Sequence, residues 1–194
     1  VMPTSAIEYS ETDIYHVFAR ANNREKIFLD KSDKDYYINL IKLSRDELNI
    51  RVFAFAIMDN HIHILLKAKR EDLSKIMKFI QQSYTFYFNK KYKHSGRVFG
   101  SRFKSKGYND DIYLTELVKY IHLNPKKAGL SDLYMNMFTS HRFYISDCDS
   151  FVDVNYILNF FSADISKARI MYLDYLNLPF NCSAKDIYCD GVKH

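Results

Sequence analysis

His61 and His63 lie two apart in the apolar run Met58-Asp59-Asn60-His61-Ile62-His63-Ile64-Leu65-Leu66. On a strand, both imidazoles project from one face while Ile62, Ile64 and Leu66 project from the other. Such a pair can hold one metal ion; it can equally be two neutral core histidines satisfied by hydrogen bonds. A second group lies later in the chain. Leu114, Leu117, Val118 and Ile121 fall on one helical stripe, and Tyr113, Tyr120 and Asn124 line its flank. Tyr120 and Asn124 are i, i+4 neighbours, so a phenol and an amide are presented side by side. With 16 tyrosines in the chain, spacing alone does not single out Tyr120 as a nucleophile.

The elements that must position these groups alternate. Ile14 to Arg20 reads as a strand, and Tyr36, Tyr37, Leu40, Ile41 and Leu43 mark a helix over Asp33 to Glu47. Arg51 to Met58 is apolar on both faces and reads as a central strand; Asp59-Asn60 is turn chemistry that joins it to the histidine strand as an antiparallel hairpin. Asp72 is expected to cap a long helix carrying Leu73, Ile76, Met77, Ile80, Tyr84, Tyr87 and Phe88 on one face. Ser95-Gly96 breaks it, Arg102 to Tyr108 reads as a fourth strand, and Asp110 or Asp111 starts a helix that runs to Asn124-Pro125. The order β-α-β-β-α-β followed by a helix predicts an α+β fold. Specifically, it predicts a ferredoxin-like (split β-α-β) antiparallel sheet with helices on one face. Residues 1–145 are expected to form the main domain and 146–194 a C-terminal helical extension, with helices over Asp153 to Phe161 and Asp164 to Asn177. His141 and His194 read as surface residues.

The net charge of +5 hides an asymmetry. From Lys67 to Lys106 there are twelve Lys and Arg against Glu71 and Asp72, or +10 over 40 residues; the other 154 carry 16 bases and 21 acids, or −5. The basic stretch is interleaved with Phe79, Tyr84, Phe86, Tyr87, Phe88, Tyr92, Phe99 and Phe103. Clustered cations release counterions from phosphates, and exposed aromatic faces stack on bases, so a polyanion partner follows. For the aromatics the core reading is preferred; the charge imbalance is the stronger signal.

At 194 residues and 47% hydrophobic composition the chain can bury a sizeable core. Its longest apolar runs reach about seven residues, far short of the roughly 20 that cross a bilayer, and Ser5, Glu8, Ser10, Glu11 and Asp13 interrupt any secretory h-region. No membrane partner and a cytoplasmic location are expected. Cys148, Cys182 and Cys189 form no C-x-x-C pair and suit a reducing compartment, with no thiolate metal site or nucleophile expected among them.

Several short patterns, in order, resemble the single-tyrosine HUH transposases of the insertion sequence 200/605 superfamily, in particular the REP-associated tyrosine transposase branch. They are Ile14-Tyr15-His16-Val17 with Arg20-Ala21-Asn22-Asn23-Arg24 and Ile27-Phe28, Met58 to Leu66, Tyr87-Phe88-Asn89, Gly96 to Ser105, and Tyr120-Ile121-His122-Leu123-Asn124-Pro125-Lys126-Lys127-Ala128-Gly129-Leu130. The resemblance spans about residues 12 to 145. It departs at Ala21, where the family usually has glycine, and at Asp59, where it usually has proline; Ala21 is a position where a tight backbone path could be altered.

The resemblance implies that His61, His63 and Asn124 hold a divalent metal, Mg²⁺ or Mn²⁺, and that Tyr120 is the nucleophile. It implies cleavage and rejoining of single-stranded DNA near hairpins through a 5′-phosphotyrosine. A phenol with a pKa of about 10 is a poor nucleophile at neutral pH, which is why a cation on the phosphate oxygens is needed. Arg20, Asn22, Asn23, Arg102 and Lys104 are the candidate DNA contacts, although Asn22-Asn23 can equally make a turn. The expected partner is single-stranded or hairpin DNA, with a homodimer left open. Two alternatives stand beside a transposase: a resident, non-mobile nicking enzyme acting on dispersed palindromic repeats, and a non-catalytic nucleic-acid-binding module on the same sheet. The last leaves the His pair, Tyr and Asn unexplained.

Overall fold

The computed structural model describes residues 7, 8, 10–148 and 150–181; His194, Cys182 and Cys189 lie outside them. Four strands form: β1 at Ile14–Arg20, β2 at Arg51–Ile57, β3 at His61–Lys67 and β4 at Lys104–Gly107. They make one sheet in the order β2-β3-β1-β4, antiparallel at every junction. Helix α1 (Lys31–Leu48) links β1 to β2, and α2 (Arg70–Tyr92) links β3 to β4. Because β3 lies between β1 and β2, those two strands are split by the return strand of the hairpin. The antiparallel α+β architecture read from the sequence is present.

Local chemistry explains the boundaries. Asp30 starts α1 with a reciprocal box: its carboxylate accepts from the Asp33 N–H while Asp33 reaches back to the Asp30 N–H. Asn49 ends it in a left-handed conformation at φ 50°. Lys69 precedes α2 without a side-chain cap, so Asp72 lies in the first turn and favours the helix through its charge rather than by capping. Helix α3 (Asp111–Lys127) continues past the expected stop, with Pro125 inside it. Proline removes one N–H there, and the next amides still close the turn, Ala128 on the Asn124 carbonyl at 3.1 Å and Leu130 on that of Pro125 at 2.9 Å. Gly129, at φ 72°, then turns the chain.

Both faces of the sheet are buried. On one, Val17, Ile62, Ile64 and Leu66 are closed to solvent, and α1 and α2 pack against each other. On the other, α3 lies across β2 and β3, bringing its flank onto the histidine face.

Strand β2 is a correction to the expectation of a central strand, for it stands at the end of the hydrogen-bonding order. It is apolar on both faces because later residues occupy its free edge. Phe55 donates to Ser140 Oγ at 2.9 Å and accepts from the Ser140 N–H at 3.0 Å, and the Val52 carbonyl accepts from Asp153 N–H at 2.8 Å. Those amides would otherwise form an exposed strand edge. Ser140 and Asp153 stand at the N-termini of two of four further helices, α4 (Asp132–Phe138), α5 (His141–Ile145), α6 (Val154–Leu158) and α7 (Ile165–Asn177). Asp153 and Asp164 cap the last two with their carboxylates.

His141 is also a correction. It is buried, with Nδ1 2.6 Å from the Tyr172 hydroxyl, and the same hydroxyl lies 2.7 Å from His122 Nδ1. His122 Nε2 reaches Ser140 Oγ at 2.6 Å. One buried polar knot therefore ties α3, α5 and α7 to the edge of β2.

Candidate active site

Strand pairing sets the site. Phe18 faces His63 and Arg20 faces His61 across the β1–β3 ladder, so His16, Phe18 and Arg20 share the face of the two histidines. From above that face, Asn124 of α3 reaches down between the imidazoles: its Oδ1 is 3.4 Å from His61 Nε2 and its Nδ2 is 3.3 Å from His63 Nε2. Tyr120, one helical turn earlier, sets its ring edge-on to His63, with 5.4 Å between centroids. The four residues singled out in the sequence thus meet in one place.

The proton positions follow from the neighbours. Asn60 Nδ2 donates to the Arg24 carbonyl at 3.0 Å, which turns Asn60 Oδ1 toward His61 Nδ1 at 2.7 Å. An amide oxygen only accepts, so His61 Nδ1 carries a proton, and in the neutral ring Nε2 presents a lone pair. That lone pair faces the Asn124 oxygen, another acceptor. Burial, reinforced by the nearby His16, His61 and Arg20, drives the His63 pKa well below the ordinary imidazole value, so His63 is neutral and keeps a lone pair of its own.

This donor set fits a divalent cation. As the Asn124 amide is turned here, its oxygen looks at the His61 Nε2 lone pair, an arrangement that repels unless a cation comes between. The 3.4 Å between Asn124 Oδ1 and His61 Nε2 is short enough for both atoms to bind one ion with bonds of about 2.1 Å. Among the described residues no group of three or more His, Cys, Asp or Glu could form a metal site. A third protein ligand here would be of another type, and the Asn124 amide is the group at hand.

Tyr120 is only 1% exposed. Lys127 Nζ stands 4.9 Å from its ring centroid and 4.2 Å from that of Phe180, and Lys119 holds the Leu178 carbonyl at 2.5 Å. The segment after α7 is thus laid along α3 beside the phenol. Access to the phenol from solvent requires a local displacement of this packing.

The candidate DNA contacts lie around this centre without entering it. Arg20 stacks its guanidinium over Phe18 at 4.9 Å, and Phe18 in turn lies 5.7 and 5.1 Å from His61 and His63. Arg102 and Lys104 line a cavity of about 190 Å³ together with Phe18, Arg20 and Gly100. Asn22 and Asn23 form a turn, with Asn23 at φ 50° and the Asn22 N–H bound to the Val98 carbonyl at 2.9 Å. Ala21 takes an ordinary φ of −58°, so the family's usual glycine is not required by the backbone here. Beyond the cavity, a groove of about 650 Å³ runs between α2 and residues 96–102, lined by Gln82, Phe86, Asn89, Arg97 and Arg102 among others. Of the aromatics in the basic stretch, Tyr84, Phe88, Phe99 and Phe103 are core; Phe86 is 71% exposed.

Sequence reasoning assigned no role in the site to His16. It is fully buried, lies edge to edge with His63 in a nearly parallel plane with centroids 5.2 Å apart, and places Nε2 2.9 Å from His63 Nδ1. Its parity with Phe18 and Arg20 on β1 was readable, but the β1–β3 register that sets it beside His63 was not.

An antiparallel sheet presenting paired histidines to a helix that carries a tyrosine and an amide defines a class of protein. The family model described as "Transposase IS200 like" matches residues 10–124, and the chain belongs to that family. Among solved structures it is similar to a REP-associated tyrosine transposase bound to a REP hairpin, at 18% identity and a TM-score of 0.60 over 79% of this chain and 93% of that one. A chain from Deinococcus radiodurans R1, provisionally assigned as a transposase, aligns at 11% identity and a TM-score of 0.43 over 71% of this chain and 98% of that one. Likeness at such identities speaks to fold alone. A search of curated proteins finds no match. Among the described residues no helix is long and apolar enough to cross a membrane.

Proposed function

We propose that this transposase-family chain cleaves and rejoins single-stranded DNA beside a hairpin, with Tyr120 as nucleophile and with Mg²⁺ or Mn²⁺ held by His61, His63 and Asn124. The observation that carries the reading is the meeting of two imidazole nitrogens and the Asn124 amide one helical turn from a phenol on the same face of the sheet. A bound cation supplies charge neutralisation and alignment of the scissile phosphate. Tyr120 forms the new bond from its oxygen to phosphorus; the bond to the 3′ oxygen breaks, and the phenolic proton ends on that departing oxygen. The product is a 5′-phosphotyrosine and a free 3′-hydroxyl. Because the ester keeps the bond energy, a second 3′-hydroxyl reverses the step and joins strands without a nucleotide cofactor.

The DNA path is supported by Arg20, Arg102 and Lys104 around the cavity next to the histidines and by the groove beyond it, where phosphates and bases find cations and an exposed ring. Hairpin DNA as partner is supported by the REP hairpin in the similar structure. The test is incubation with end-labelled single-stranded hairpin DNA and Mn²⁺ followed by a denaturing gel. A covalent adduct in the native chain that disappears in Tyr120→Phe, with hairpin binding retained, supports the reading; an equal adduct in Tyr120→Phe defeats the assignment of the nucleophile.

A further inference from the structure

We propose that His16 is a positioning residue that fixes the tautomer of His63, keeping the His63 Nε2 lone pair free for a divalent cation; this rests on the metal site proposed above. Two imidazole nitrogens 2.9 Å apart share one proton, and there are two ways to place it. If His63 Nδ1 donates to His16 Nε2, His63 Nε2 is bare and faces the Asn124 amide. If His16 Nε2 donates instead, the proton of His63 moves to Nε2, where it occupies the coordinating position.

Two observations favour the first arrangement. The two rings lie edge to edge, 15° from parallel, with both residues at 0% exposure, so His16 Nε2 is the partner of His63 Nδ1 within the core. His61 is treated in the same way by a different residue, its Nδ1 bound to Asn60 Oδ1 at 2.7 Å. Each histidine of the pair thus has its distal nitrogen held by a dedicated acceptor, and each turns Nε2 toward Asn124. Such outer partners typically contribute about 10–100-fold to metal affinity.

The experiment measures Mn²⁺ binding by calorimetry on the chain without DNA, in the native protein and in His61→Ala, His16→Phe and His16→Gln. Phenylalanine keeps an aromatic ring in the buried position and loses the acceptor, whereas glutamine offers a carbonyl oxygen. His16→Phe is expected to bind Mn²⁺ about 10–100-fold more weakly and to lose most of the Mn²⁺-induced rise in melting temperature, with His16→Gln closer to the native chain and hairpin binding in EDTA unchanged in both. A variant-free readout guards against misfolding: long-range ¹H–¹⁵N spectra of the metal-free native protein should show the proton of His63 on Nδ1. Native affinity in His16→Phe alongside its loss in His61→Ala, or a His63 proton found on Nε2, overturns the role of His16 and leaves the metal site standing. A native chain that takes up no Mn²⁺, or a His61→Ala chain that binds it as well, overturns the metal site and this inference with it.

Discussion

Asp59 closes on Lys34: its Oδ1 lies 3.0 Å from a lysine Nζ whose residue is only 5% exposed, while Oδ2 takes Lys26 at 3.0 Å. The lysine also donates to the Phe28 carbonyl at 3.1 Å and stands 5.3 and 5.2 Å from the rings of Tyr134 and Phe138. Where the family usually has proline, this chain has an acid that neutralises a buried cation just before Asn60 and His61. The histidine turn is therefore anchored by charge as well as by the Ile27 and Phe28 amides bound to the Asp59 carbonyl at 2.9 and 3.1 Å.

Removing that acid should be costly. Asp59→Asn leaves the Lys34 ammonium without its anion, a loss of about 1–3 kcal/mol, measurable by urea unfolding at pH 7. Replacing both residues, Asp59→Ala with Lys34→Met, should recover part of it because no lone buried charge remains. Burial alone would raise the Asp59 pKa, but the hydrogen bonds from Lys34 and Lys26 outweigh it and hold the carboxyl below its ordinary 3.8. A depressed folded pKa gives stability that is complete above the unfolded value and disappears as pH falls through the folded one. The native and Asp59→Asn curves should therefore converge below about pH 3.8; a constant gap down to acid pH would remove the charge argument.

The knot around Tyr172 carries a second pH dependence. Burial pushes His141 down to about 4, and it drives His122 well below 6.5, with His141 adding to the effect. Both histidines fold neutral, so the unfolded chain binds more protons between the two values. Their contribution is whole above pH 6.5 and is lost as pH falls toward 4, at about 1.4 kcal/mol per pH unit for each. Chemical unfolding across that window should show the slope, and His141→Gln should flatten it by one proton's share. Tyr172→Phe, which strips the hydroxyl from both rings, should cost about 2–3 kcal/mol at pH 7.

The same knot shows where sequence reading stopped. Strand β1, the hairpin and the long helices were legible because their apolar spacing and turn residues act over a few positions. The burial of His141 was not, because its partner hydroxyl is 31 residues further on. Likewise β2 looked central because its sequence records burial on both faces, not that Ser140 and Asp153 cover its edge. In the site, the parity of His61 and His63 and the spacing of Tyr120 and Asn124 were readable from strand and helix periods. That these two pairs meet depended on the family resemblance, and the placement of His16 depended on a strand register that periodicity does not supply.

Phe86 offers the cleanest test of the groove between α2 and residues 96–102. At 71% exposure it contributes little to the core, so Phe86→Ala should melt with the native chain. As a stacking platform beside Arg97 and Arg102 it should contribute about 1–3 kcal/mol to single-stranded DNA binding, seen as weaker binding of unpaired oligonucleotides by fluorescence anisotropy. Arg97→Ala should in addition lower the slope of log affinity against log salt by about one unit. Unchanged affinity in Phe86→Ala would move the DNA path off this groove.

Gly100 tests how closely the groove is tied to the end of β1 that pairs with His61. A Cβ built on it would stand 3.1 Å from the Asn22 Cα and 3.2 Å from the Ala21 carbonyl oxygen, both backbone atoms that no rotamer change can move. The loop is held there by the Gly100 N–H on the Arg20 carbonyl at 3.1 Å, and Ala21 in turn donates to the Asn60 carbonyl at 2.8 Å, next to His61. Gly100→Ala should therefore push the 96–102 loop away from β1, costing about 1–3 kcal/mol of stability and weakening hairpin DNA binding. Hydrogen exchange at the amides of Asn22 and Gly100 should rise together, since one bonds to the loop and the other to the strand. Ala21→Gly, at a position with φ −58°, should cost only about 0.5–1 kcal/mol through chain entropy and leave DNA binding alone. Equal exchange and equal melting in Gly100→Ala would mean that the backbone yields by a few tenths of an ångström and that the loop is not pinned by this approach.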